Sequence, residues 1–307
     1  MNLKHLAKRV TLIGESTPHV VNLSYFAGLQ DDSFVTADFT IVPYEKGKPI
    51  EVADVSIPLM LGYKYQLPDG RMVYSYDHHG PDIRMQMQIS STSLSQELMR
   101  RRKNPFPHVY GTHVDTDSLL SYFVLLTANV DEQFSTASIA ADHTGAENRI
   151  ADVLQSLTDL RNVEFSFDCL DDVLENRTLP EKAQRLLDTR LRNRERALEY
   201  VQNGIIAPMG NGVYVGRFEE ALPGELLPAL IPEAKVIALV SSLKPGIKEI
   251  KVRAGCKFPS GLSLNQLGLP NYGGRWNAGS TKRFGGTPDH EVDAFIEILT
   301  NVNIFTG

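Results

Sequence analysis

The chain has 307 residues, a formal net charge of -6, 42% hydrophobic and 22% charged residues, close to the averages of folded domains, which excludes a disordered chain. No run approaches the roughly 20 apolar residues of a bilayer span, and the polar start MNLKHLAKRV lacks a signal-peptide core, so a cytoplasmic protein with no membrane partner is expected. The negative charge offers no general attraction for long nucleic acid, and Cys169 and Cys256 form no CxxC pair, which leaves His and carboxylates to hold any metal.

Short β-branched runs alternate with helical stretches through the first half, the pattern of an α/β domain with a mainly parallel sheet flanked by helices. The expected strands are Arg9–Gly14, Val35–Tyr44, Met72–Asp77, Val109–Asp115 and Phe134–Asp142, three of them ending on an acidic residue. Ser93 with Gln96, and Thr144 with Glu147, are spaced as capping boxes for two helices. Between them the run Leu119 to Leu126 is apolar all round, as in a buried helix starting near Ser118. Arg100, Arg101, Arg102 and Lys103 form the most compact basic run, read as a solvated helix end or a phosphate contact.

From Pro180 to Gly204, Ala183, Leu187, Leu191, Leu198 and Val201 fall on a helical stripe, read as a long helix connecting two domains. Strands are expected at Val213–Phe218, Lys235–Val240 and Ile247–Arg253, then a glycine-rich segment and a final helix through Val292, Phe295, Ile296 and Leu299. A smaller α/β domain at the C-terminus follows from this order.

Three segments carry the chemistry. In VYSYDHHGPD a β-rich run delivers Asp77, His78 and His79 onto a Gly-Pro turn, and strand ends are where α/β sheets bind ligands. In GTHVDTDSLL, an extended backbone through Asp117 would turn His113, Asp115 and Asp117 to one face, able to grip a cation; capping of the next helix by Asp117 is the plainer account. In SIAADHTGAEN, Asp142 and His143 would end a strand, with Asp142 also explicable as a helix-start residue.

These motifs resemble the DHH phosphoesterase superfamily. The namesake triplet is Asp77-His78-His79; Ser90-Ser91-Thr92 opens the next helix, and Asp115-Thr116-Asp117-Ser118 is similar to the family's metal motif. IKEIKVRAG followed by YGGRWNAGSTKR is similar to the strand and glycine-rich motif of the associated substrate domain. The family's first Asp-x-Asp pair is missing near TLIGESTPHVV, where only Glu15 and His19 stand, or is displaced downstream as HVDTDSLLS; Asp54 is a candidate for its isolated second Asp. Both registers stay open.

The resemblance implies a catalytic domain over 1–179, a connecting helix over 180–204 and a substrate domain over 205–307. It implies a two-metal hydrolase of phosphate esters or anhydrides acting on a small phosphorylated or nucleotide-like substrate, a short oligonucleotide included. Asp77, His78, His113, Asp115, Asp117, Asp142 and His143 would hold the metal, with Asp115 or Asp117 bridging, and substrate would bind across an interdomain cleft. Asp77 and His79 are the catalytic candidates, His79 contacting a phosphoryl oxygen or protonating the leaving group. Manganese is the implied ion, with zinc, iron, cobalt and magnesium open. Gly273, Gly274, Arg275, Asn277, Lys282 and Arg283 would bind substrate anions, and Trp276 would stack on a base. A metalloenzyme for a non-phosphate substrate, a non-catalytic metal- or nucleotide-binding module, and a homodimer remain alternatives at this level.

Overall fold

The computed structural model describes residues 3–13, 20–22, 26, 28–30, 33–37, 40–42, 63–67, 69–76, 78 and 86–302. The chain divides into two compact units, an N-terminal one of Met1–Arg84, Ile89–Ile139 and Asn148–Leu187, and a C-terminal one of Met85–Gln88, Ala140–Glu147 and Asp188–Gly307. Among the described residues no helix is long and apolar enough to cross a membrane.

The strands of the N-terminal unit are β1 (Val10–Leu12), β2 (Val20–Asn22), β3 (Ser33–Ala37), β4 (Thr40–Val42), β5 (Tyr63–Gln66), β6 (Met72–Tyr76) and β7 (Val109–Gly111). Five of them form a sheet in the order β1-β7-β3-β6-β5. Its first four strands are parallel, and β5 runs antiparallel along the edge. The α/β class with a mainly parallel sheet is therefore observed. The expected strand Val35–Tyr44 is two short strands with different partners, since β4 pairs with β2 and not with the main sheet.

Helix α1 (Ser91–Arg102) starts at Ser90, whose hydroxyl accepts from the Ser93 N–H while the Ser93 hydroxyl returns a contact to the Ser90 backbone. The capping box thus lies one turn earlier than the expected Ser93–Gln96 pair; Gln96 instead donates to the Asp131 carbonyl at 2.6 Å. Arg100, Arg101 and Arg102 occupy its last turn, where cations complement the helix dipole. Arg101 pairs with Glu97 at 2.8 Å, and Arg102 lies 4.0 Å over the Phe106 ring.

Helix α2 (Thr116–Thr127) is buried from Thr116 through Leu126, and packs on α1 and on strands β3 and β7. Its apolar residues on every side are what such a position needs. The strand expected to reach Asp115 stops at Gly111, because Asp115 turns out as the N-cap of α2. Tyr122 donates to the His113 carbonyl at 2.8 Å, and a Cβ at Gly111 would lie 1.8 Å from that phenol oxygen.

The expected strand Phe134–Asp142 is the clearest correction. It is helix α3 (Glu132–Ile139) followed by a π-helical turn, Ala140–Thr144. Phe134, Ala137, Ser138 and Ala141 are buried at the i, i+3, i+4, i+7 spacing of a helix, and Asp131 accepts the Gln133 N–H at 3.0 Å to start it. Helix α4 (Arg149–Ser156) is capped by Asn148 and not by the expected Thr144–Glu147 box. Helix α5 (Val163–Leu174) completes this unit.

Helix α6 (Glu181–Gln202) has residues of both units and follows the expected stripe. In the C-terminal unit come β8 (Ile206–Gly210), β9 (Val213–Phe218), β10 (Val236–Lys244), β11 (Ile247–Ala254), β12 (Gly273–Gly274), β13 (Ala278–Ser280), β14 (Thr287–Pro288) and helix α7 (Val292–Asn301). The sheet order is β12-β13-β11-β10-β9-β8, with β14 beside β11.

Both faces of this sheet are covered, which explains the unbroken apolar run of β10. Val236, Ala238 and Val240 join a core with Phe295, Ile296 and Leu299 of α7. Ile237 and Leu239 join a second core with Ala197, Leu226 and Leu227.

Replacing Gly111 by alanine is expected to destabilise the protein by about 1–3 kcal/mol, the usual range for forcing atoms into a filled site. Urea unfolding monitored by circular dichroism checks this; an unchanged midpoint would mean that Tyr122 can move away at no cost.

Candidate functional site

In the N-terminal unit the sequence motifs converge on a buried carboxylate. Asp117 is 2% exposed and sits in the first turn of α2, opposite the N-terminus of α1. Its Oδ2 accepts the Ser91 N–H at 2.8 Å, and its Oδ1 accepts the Thr92 N–H at 2.8 Å, the Thr92 hydroxyl at 2.7 Å and the Ser138 hydroxyl. These are unsatisfied donors of a helix start, so the anion is held by charge-assisted hydrogen bonds and the dipole of α1. The expected single face of His113, Asp115 and Asp117 on an extended strand does not form, because both aspartates belong to the start of a helix.

His78 follows β6 and is buried. Its Nδ1 lies 3.2 Å from the Ile89 carbonyl, and its Nε2 is 3.6 Å from Asp117 Oδ2. A carbonyl can only accept, so Nδ1 carries the hydrogen, and a neutral ring would turn the Nε2 lone pair toward a carboxylate oxygen. A ring whose Nδ1–H is held by a carbonyl is the usual preparation of a metal-ligating histidine. Asp115 is half-buried and accepts the Ser118 N–H at 3.0 Å through Oδ1. His113 Nδ1 shares a hydrogen bond of 2.6 Å with the Thr112 hydroxyl. Asp77, His79, Glu15, His19 and Asp54 lie outside the described residues.

The C-terminal unit gathers a different set. The π turn is closed by the Gly145 N–H bonding the Ala140 carbonyl five residues back, a geometry that clusters at functional sites. Three neighbours tie down its carbonyls: Arg253 takes that of Asp142, the Ala229 N–H that of Thr144 at 2.6 Å, and Arg194 that of Gly145. Gly145 has a φ of +68°, and a Cβ there would meet the Glu225 carbonyl oxygen at 2.0 Å.

His143 is fully buried in this turn. Asn277 Nδ2 faces its Nδ1 at 3.1 Å, so Nδ1 accepts and Nε2 carries the proton, 3.6 Å from Asp142 Oδ2. Arg275 reaches Asp142 Oδ1 at 3.9 Å. Trp276 is 4% exposed with its ring centroid 5.7 Å from that of His143. It is part of the core, and the expected base stacking on it is sterically closed.

Arg253 sits on β11 opposite Ile237 and Ala278, which turns it to the α6 side of the sheet. Burial pulls its guanidinium below the usual arginine range; Glu225 and Asp142 act upward on it, and Arg275 and Arg190 downward. Arg190 is 7% exposed and pairs with Glu225 at 3.2 Å. Arg253 thus feels two carboxylates and two further guanidinium groups. Arg253 Nε, the Tyr272 hydroxyl and Trp276 Nε1 are buried and have no hydrogen-bond partner among the described residues. Burial also pushes the Tyr272 phenol above the usual tyrosine range, an effect that Arg253 partly opposes. An acceptor-rich anion is the ligand that such donors fit.

Gly273 and Gly274 pair with Ser280 and Gly279 in the β12–β13 hairpin. A Cβ at Gly273 would lie 2.8 Å from the Phe284 ring, and one at Gly279 2.5 Å from the Tyr272 hydroxyl, so these glycines make room for aromatic side chains. Lys282 and Arg283 are exposed on the turn that follows. Sequence reasoning missed Arg190, Arg194 and Arg253 as members of the cluster. A signal for the first two was present: 183, 187, 190, 194, 197 and 201 make one helical face, and two arginines stand on it among apolar residues.

No protein-family model and no curated protein matches the chain. Similar solved structures include a pGpG-specific phosphodiesterase, PggH, from Vibrio cholerae, at 10% identity over 72% of this chain and 97% of that one, with a TM-score of 0.45. An exonuclease RecJ bound to manganese is similar at 16% identity, over 88% of this chain and 74% of that one, with a TM-score of 0.39. An exopolyphosphatase-related protein from Bacteroides fragilis is similar at 14% identity, over 93% of this chain and 77% of that one, with a TM-score of 0.40.

Asp117→Asn places an amide donor against helix N–H groups and is expected to cost about 2–3 kcal/mol. Asp115→Asn, at an N-cap where asparagine serves as well, stays within about 0.5 kcal/mol of the parent. Urea denaturation of the two variants side by side checks the contrast; equal losses would contradict the anchoring role of Asp117.

Proposed function

We propose that this protein is a divalent-metal-dependent hydrolase of phosphate esters or anhydrides, acting on nucleotides or short oligonucleotide phosphodiesters. The observation that carries the reading is a set of buried donors in the C-terminal unit, Arg253 Nε, the Tyr272 hydroxyl and Trp276 Nε1, that have no hydrogen-bond partner among the described residues. A phosphoryl group supplies oxygens to Arg253 Nε, the Tyr272 hydroxyl and Trp276 Nε1, and Arg275 closes on it with the planar fork that suits phosphate. Lys282 and Arg283 add positive charge at the rim. His143, oriented by Asn277, presents its Nε2–H beside Asp142 as a hydrogen-bond donor to a phosphoryl oxygen.

The donors proposed for the metal are His78, His113 and Asp115 with Asp77, all of the N-terminal unit; His143, with Nδ1 accepting from Asn277 and Nε2 protonated, has no lone pair left for an ion. Asp117, with both oxygens accepting hydrogen bonds, anchors the start of α1 rather than bridging ions. Imidazole and carboxylate together suit manganese or its transition-metal neighbours. A bound divalent cation supplies Lewis-acid stabilisation of charge developing on the phosphoryl oxygens. His79 and Asp77 keep the roles the motif assigns them, a phosphoryl contact and a ligand or orienting group.

Elemental analysis of purified wild type after manganese loading is expected to find metal, and His78→Ala to lose it while melting within a few degrees of wild type. Arg253→Ala keeps its metal but raises KM for a phosphodiester roughly tenfold or more, the loss of one charged hydrogen-bond partner. If metal-loaded wild type turns over no member of a panel of phosphodiesters and phosphoanhydrides, the proposal is wrong.

A further inference from the structure

We infer that Phe284 is a nucleobase platform, so that the substrate is recognised by a base as well as by phosphate; this rests on the phosphoester reading above. Phe284 is 61% exposed, the most exposed of the large hydrophobic side chains among the described residues. A single exposed aromatic is ordinary in itself, but the way this one is held is not.

It stands at the end of the Lys282–Phe284 turn, which is closed by three backbone hydrogen bonds: Phe284 N–H to Thr281 O at 3.0 Å, Gly285 N–H to Lys282 O at 3.1 Å and Gly286 N–H to Thr281 O at 3.0 Å. Thr281 is fully buried and pinned to β11 from both sides, its N–H donating to the Ile250 carbonyl at 3.1 Å and its hydroxyl accepting the Ile250 N–H at 3.0 Å. Gly285 and Gly286, with φ of +88° and +89°, make the return that only glycine takes without strain. The ring rests on Gly273, where a Cβ would lie 2.8 Å from it. An apolar face is thus fixed in water in advance, and the ordering cost of a ligand contact is already met by the fold.

Its neighbours define the ligand. Lys282 and Arg283 are exposed beside it, and neither makes an ion pair with a described residue. Along the hairpin, Gly273, which carries the ring, is two residues from Arg275, a separation of about 7 Å in extended chain. That span matches the distance between a nucleotide's phosphate and its base. Aromatic faces interleaved with unpaired cations are how single-stranded nucleic acid is held without sequence readout. Trp276, the only tryptophan, is in the core and does not compete for this role.

Binding of a 5′-phosphorylated dinucleotide and of tripolyphosphate is measured in wild type, Phe284→Ala and Phe284→Trp. The preference for dinucleotide over tripolyphosphate is expected to fall about tenfold in Phe284→Ala, the scale of one lost base–aromatic stack, and to survive in Phe284→Trp. The added tryptophan is expected to be quenched by the dinucleotide and not by tripolyphosphate or ribose 5-phosphate. Unchanged preference in Phe284→Ala overturns the platform while leaving the phosphate site intact. Binding of tripolyphosphate without dinucleotide does the same, and binding of neither overturns both readings.

Discussion

A carboxylate that gives up water needs its charge answered on the spot, and Asp117 is answered by the start of a helix. Four hydrogen bonds from Ser91, Thr92 and Ser138 replace its solvation, and removal of any one would leave part of a buried charge unmet, at a cost of a few kcal/mol. That requirement fixes where α1 begins, how α2 and α3 meet it, and where the turn after β6 must bring His78. The rest of the N-terminal unit, including its all-round apolar helix α2, is arranged about this constraint.

The C-terminal unit solves the opposite problem. There Arg253 Nε, the Tyr272 hydroxyl and Trp276 Nε1 are donors without a hydrogen-bond partner among the described residues, and burial works against the Arg253 charge. The π turn with Asp142 and His143 is held through its backbone carbonyls by Arg253 and Arg194.

Much of the architecture was legible because it is periodic. The stripe through Ala183 and Leu187 reports α6, and the unbroken apolar run of β10 is what burial on both faces produces. The segment Phe134–Asp142 misled because its Phe, Thr and Ile favour strands, while the helix depends on Asp131 and on small residues packing closely, which propensity does not register. Donor spacing singled out His78, Asp117, Asp142, His143 and Arg275 as candidates, but not what each touches. That Asp117 is consumed by helix donors, and that Trp276 is core and Phe284 is surface, depends on tertiary partners distant in sequence. Arg253 was legible only as one polar residue in an alternating strand.

The turn Ala140–Thr144 carries one residue more than a regular helix would use for the same hydrogen bond. Each residue of an α-helix advances the chain by about 100°, so that extra residue determines the direction in which Asp142 and His143 project. A single-residue deletion here would leave the composition of the site intact and turn its acid and imidazole onto another bearing. Chain length alone therefore sets the bearing of both side chains, with no substitution at either.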